Sequence, residues 1–265
     1  MDDLRLAGVQ ARYALLTTFR TPRVVVFGMA FPIILLVLFN SIFTEGAHQT
    51  VSFAGGTITA SAYFTAGLAA YAIGLSTFTN LAVGVTTQRE SGQLKRLRGT
   101  PMPGWTFIAG QVMRAGTVVS MMVVAMLAIG VLAYGVDPPA EHLVGFVVYA
   151  ALGTLVFSTL GIAVTAYTPT VDSASTVGPF AMVLLSFVSG VFISVDQLPA
   201  WLEDVGSVFP LYHLANGLQA ALAHGGGTAL EWNHVAVLAL WGLAGLYIAT
   251  RQFRWELQAG RSDAV

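Results

Sequence analysis

The residue types able to do chemistry are sparse in this 265-residue chain and poorly spaced for it. Five histidines, His48, His142, His213, His224 and His234, could serve as ligands or bases. No two of them stand four apart with a carboxylate behind them, the arrangement that a helical zinc site needs, so they read as water-facing or interfacial side chains. Ser189 and His213 could form a hydrolase pair, but no Gly-x-Ser-x-Gly elbow presents the serine and no third group orients the histidine. Lys95 is the only lysine and follows no glycine-rich phosphate loop. The chain therefore has no Walker-type nucleotide site, and no cofactor is expected on it. The absence of cysteine excludes disulfides, thiolate metal centres and cysteine nucleophiles. Any energy source must lie on another chain.

An ion-coupled carrier would need ionisable groups at mid-membrane depth. Every acid in this sequence falls at the end of an apolar run or between runs, with Asp172 coming nearest. Inside the runs stand Asn40, Asn80, Gln111 and scattered serines and threonines, and the one charge, Arg114, reads as snorkelling to the nearer membrane face. An interior this dry suits a bulky amphipathic or lipidic substrate better than a small ion.

The elements that must position these groups are membrane spans. Hydrophobic residues make up 55% of the chain and charged residues 9%, with a mean hydropathy of +0.73, whereas soluble domains carry about 25% charged residues. A bilayer core takes about 20 apolar residues per helix. Six runs qualify, at about 24–43, 60–85, 107–134, 143–167, 175–195 and 235–250, within one domain, 1–265, that shows no internal repeat. The expected fold is an all-α integral membrane protein with six transmembrane helices. The 12 Lys+Arg fall in three clusters, residues 5–23, 89–114 and 251–261, separated by even numbers of runs. By the positive-inside rule both termini and the segment around Lys95 are cytoplasmic, in a plasma or inner membrane. Residues 1–23 carry four arginines and two aspartates, so no signal peptide is expected there, and a net charge of −1 gives no reason to expect nucleic acid.

Three stretches lie outside the runs. Residues 1–23 read as an amphipathic interfacial helix with snorkelling arginines. In the second stretch, 86–105, Thr87-Gln88-Arg89-Glu90 has capping-box spacing, and Gly99 and Pro101 supply stop signals, so a short cytoplasmic helix is expected. Leu94 and Leu97 share one side of that helix amid Lys95, Arg96 and Arg98, and periodicity leaves a protein contact and a lipid anchor equally open. The third stretch, 196–234, is apolar for an external loop. It suggests two short helices, at about 198–208 and 211–223, dipping into the outer leaflet, with Trp201, Phe209, Tyr212 and Trp232 as an aromatic belt.

Arg89-Glu90-Ser91-Gly92-Gln93-Leu94 through Leu97, Thr100 and Pro101 resembles the cytoplasmic Arg-Glu-x-Gly-x-Leu signature of type-2 ABC exporter permeases. Phe187-Val188-Ser189-Gly190-Val191-Phe192, followed by Leu198-Pro199-Ala200-Trp201 and Pro210-Leu211, is similar to that family's fifth-span motif and outer helix pair. Gln88 stands where the family often has a glutamate, and Ser194 where a proline is common. The resemblance implies a partner ABC ATPase, in two copies, that carries ATP and Mg, together with a second permease copy forming a homodimer in membrane lipid. It also implies an ATPase-coupling role for Arg89, Glu90, Gly92, Leu94, Leu97 and Pro101. Phe187, Gly190, Phe192, Pro199 and Pro210 are expected on a substrate pathway or dimer interface, in an exporter of a hydrophobic drug or lipid. An intramembrane enzyme and an ion-coupled carrier are the competing classes.

Overall fold

In lipid, a long run of Val, Leu, Ile, Phe and Ala can satisfy its backbone hydrogen bonds only within a helix or a closed barrel, and this chain forms helices. The computed structural model describes residues 22–43, 49–99, 104–194, 197–223 and 229–251, with isolated positions 8, 13 and 16. Helix α1 (Pro22–Phe43) leads to a hairpin of β1 (Thr50–Phe53) and β2 (Gly56–Thr59), then to α2 (Ala60–Glu90) and the short α3 (Gln93–Arg98). There follow α4 (Gly104–Tyr134), α5 (Leu143–Val164), α6 (Val171–Val188), α7 (Ala200–Gly206), α8 (Pro210–Leu222) and α9 (Trp232–Arg251).

Among the described residues, five helices are long and apolar enough to cross a membrane: α2, α4, α5, α6 and α9. In α1 the apolar stretch Gly28–Phe43 is shorter. The amphipathic segment expected at 1–23 lies outside the described residues, except for Gly8, Tyr13 and Leu16, which are helical and exposed, and for Pro22 and Arg23, which open α1.

Helix α8, at 13 residues and about 20 Å, cannot cross, yet it is buried along nearly its whole length between α2 and α5. Beside it α9 runs along α5, while α1 and α4 pack on α2. Tyr63, Tyr71, Tyr149 and Phe157 fill the main core, and a smaller cluster of Leu81, Val85, Leu94, Phe107, Ile162 and Ala249 closes the cationic end.

Helix α2 is not regular. At Leu75–Thr79 it widens into one π turn, and Thr77 Oγ1 donates to the Ile73 carbonyl at 2.7 Å. This turn lies directly against α5 at Gly161, where a Cβ would stand 2.5 Å from the Phe78 carbonyl oxygen. Only glycine admits that approach, the usual device for bringing helix backbones together in membranes.

Three expectations change, and one segment without an expected form takes a definite one. The Thr87-x-x-Glu90 spacing does not open a helix, because α2 runs through it to Glu90 and Thr87 Oγ1 donates back to the Val83 carbonyl at 2.8 Å. The segment between the first two runs folds as a β-hairpin, with Thr50 opposite Thr59 and the Ala54 N–H donating to Asn216 Oδ1 at 3.1 Å. Its alternation of Thr, Val and Ile with smaller residues is a strand pattern. The helix of the fifth apolar run, α6, ends at Val188 rather than near 195. Finally, Trp201 and Trp232 are exposed as a belt requires, but Tyr212 is buried.

Candidate functional site

The last turn of α2 has no glycine or proline to stop it, and its final three residues, Gln88, Arg89 and Glu90, carry long polar side chains. Because consecutive residues on a helix point about a hundred degrees apart, the three reach three different helices. Gln88 Oε1 accepts from Gln111 Nε2 of α4 at 3.4 Å. Arg89, buried, donates from Nη1 to the Thr165 carbonyl at 2.8 Å and from Nη2 to Thr165 Oγ1 at 3.2 Å, just past the end of α5. Glu90 Oε1 accepts from the Val171 N–H, the first residue of α6, at 2.8 Å.

The charges suit their partners. A guanidinium meets the carbonyl-rich, partly negative C-terminus of α5, and a carboxylate meets the amide-rich, partly positive N-terminus of α6. Thr165 Oγ1 also donates to the Ile162 carbonyl at 2.6 Å, so its hydroxyl is satisfied in both directions. Thr170 and Ser173 form a reciprocal capping box at the start of α6. The turn between α5 and α6 is therefore held from both sides by two adjacent residues of α2.

Beyond Glu90 the chain reverses at Gly92, whose φ of 70° lies in the left-handed region where a side chain is strained. It then enters α3. Here the structure corrects the reading of an exposed leucine pair: Leu94 is fully buried and Leu97 half-buried, packed with Leu81, Val85, Phe107 and Ile162. The faces left outward carry Gln93, Lys95 and Arg96. Pro101 lies outside the described residues.

The second set of expected residues gathers at the far end. Phe192 is stacked with Phe39 of α1 at 5.4 Å between centroids and touches Tyr71 of α2 at 5.6 Å and Phe187 of α6 at 5.3 Å. Phe39 and Phe64 extend the cluster, while Phe187 stays 46% exposed. The Gly190 carbonyl accepts from Tyr63 Oη and from Gln219 Nε2. Pro199 precedes α7 as its exposed cap, and Pro210 is the buried first residue of α8.

A buried pair of histidines was missed by sequence reasoning. His213 Nδ1 and His234 Nδ1 are 2.7 Å apart, His213 Nε2 donates to the Ser207 carbonyl at 2.7 Å, and Glu231 lies 3.3 Å from His234 Nε2. Burial holds the His213 pKa below its ordinary value, more than the Ser207 hydrogen bond raises it. These two histidines are not the water-facing or belt residues expected, and nothing in a 21-residue separation marks them as partners. Among the described residues, no group of three His, Cys, Asp or Glu could hold a metal ion.

The family model described as ABC-2 type transporter matches residues 8–223, a range containing both the hub at the end of α2 and the aromatic cluster. No curated protein matches the chain.

Proposed function

This chain belongs to the ABC-2 type transporter family, and from that premise we propose that it forms one half of a homodimeric, ATP-driven exporter of a hydrophobic or amphipathic compound, drug or lipid. It is a permease subunit and a multi-pass membrane protein. In this reading the six helices α1, α2, α4, α5, α6 and α9 cross the membrane as a single domain, α7 and α8 form a re-entrant pair at the outer face, and both termini are cytoplasmic. A separate ATPase, in two copies, supplies the ATP and Mg chemistry.

The observation that carries the proposal is the hub at Gln88, Arg89 and Glu90. A partner pressing on the exposed Gln93, Lys95 and Arg96 face of α3 moves a helix anchored by Leu94 and Leu97. Through Gly92 and the last turn of α2, that motion reaches α4, α5 and α6 together. Arg89, Glu90, Gly92 and Leu94 thus act as transmission, and the docking contact falls to their neighbours. The far aromatic cluster around Phe187 and Phe192 would line the substrate route or seal the two copies, with Gly190, Pro199 and Pro210 fixing the chain around it. An apolar path of this kind holds an amphipathic molecule without an ion pair, since each buried Phe contributes about 1.5–3 kcal/mol.

The test is co-expression with the partner ATPase. Glu90→Ala and Arg89→Ala should leave the permease in the membrane while lowering both transport and substrate-stimulated ATP hydrolysis. Full stimulation in both variants at normal expression would remove the hub from the mechanism.

A further inference from the structure

Arg114, a charge within the long helix α4, reaches the hub only through Gln111. Its Nε donates to Gln111 Oε1 at 3.2 Å, and Gln111 passes the contact to Gln88. Among the described residues no carboxylate pairs with it, and its two Nη groups make no hydrogen bond. The guanidinium is half-buried on the side of α4 that faces α2. Gly84 of α2 lies beside it: a Cβ added there would meet Nη2 at 3.8 Å, an ordinary van der Waals contact. An unpaired cation between spans is costly and marks a site that takes an anion.

Depth identifies the anion. Helix α4 has 31 residues, about 46 Å long, some 16 Å more than a hydrocarbon core of about 30 Å. If Ala115–Tyr134 fills the core, Arg114 stands where hydrocarbon gives way to headgroups, at the cationic end. The planar fork of arginine matches phosphate oxygens in pairs, and Gln88 and Gln111 add neutral amide donors. We propose that Arg114, flanked by Gln111 and Gln88 and lying beside Gly84, binds the phosphate of an anionic phospholipid headgroup in the α2–α4 seam. Because Gln88 directly precedes Arg89 and Glu90, occupancy of this site is felt at the hub.

The experiment uses the full chain in mild detergent with equimolar phosphatidylglycerol and phosphatidylcholine, and reads retained lipid by native mass spectrometry. The native chain should keep phosphatidylglycerol in several-fold excess. Arg114→Gln should bring the ratio near one, and Arg114→Lys should restore part of it. Gly84→Leu keeps the charge but sets a bulky side chain against the guanidinium, and it should lower the excess as well. An unchanged excess in folded Arg114→Gln overturns the proposal, and if that variant does not fold, an unchanged excess in Gly84→Leu does so. Release of the lipid by inorganic phosphate alone overturns the lipid assignment in favour of a free-ion site. The readout needs no ATPase, so it stands or fails independently of the transport reading.

Discussion

Glu90 and Val171 are 81 residues apart in the chain and share a 2.8 Å hydrogen bond, carboxylate to amide, at the start of α6. Arg89, one residue earlier, does the opposite for the end of α5 at Thr165. The pair brackets the α5–α6 turn with one charge of each sign, so that turn cannot shift without moving the end of α2.

The two clamps should differ in strength. Arg89 is buried and loses two acceptors in Arg89→Ala, a cost of about 1.5–3 kcal/mol. Glu90 is exposed, and Glu90→Ala removes a dipole contact of about 0.3–1 kcal/mol. Thr165→Val keeps the carbonyl and loses only the hydroxyl, and should fall between them. Thermal unfolding of the purified chain gives the ranking; a Glu90 variant less stable than the Arg89 variant would contradict it.

The membrane orientation can be read with thiol reagents because the chain has no cysteine of its own. Single cysteines at Thr50 and Ala140 should react with an impermeant maleimide added outside cells, and one at Ser91 should not. External labelling at Ser91 would turn the protein over.

At the far aromatic cluster, Phe192→Ala removes contacts to Phe39, Tyr71 and Phe187. If the cluster lines the substrate route, the range of exported compounds changes while the dimer persists in mild detergent. Loss of the dimer with an unaltered substrate range would make the cluster a seal between copies.

His213 gives a pH dependence. Burial lowers its pKa in the folded chain below the ordinary value of 6.5, so the unfolded chain binds the extra proton. The stability it contributes is complete above about pH 6.5 and is lost as pH falls below that. The melting temperature should therefore drop between about pH 7.5 and pH 5, and drop less in His213→Gln. An equal drop in the two would assign the effect to other groups.

The long helices and the short buried α8 were legible because hydropathy and length are local properties. For Glu90 the family resemblance singled out the residue, while the capping role read from its spacing does not hold. Thr87-x-x-Glu90 has the spacing of a helix start, but a start needs a break before it, and none separates Val85 from Glu90; the break comes at Gly92. For Leu94 the leucine stripe was visible, but periodicity does not say which side is covered, and the covering residues come from α2, α4 and α5. The contacts of Arg89 with Thr165, and of His213 with His234, are tertiary and leave no trace in spacing.

The π turn at Leu75–Thr79 decides where the hub points. It adds one residue to a helix that otherwise turns about a hundred degrees per residue. Everything after it is rotated by that amount relative to the first half of α2. A regular α-helix of the same composition would swing Gln88, Arg89 and Glu90 around together, taking the guanidinium off Thr165 and the carboxylate off Val171. The irregularity in mid-span is thus the aiming device for contacts some ten residues away.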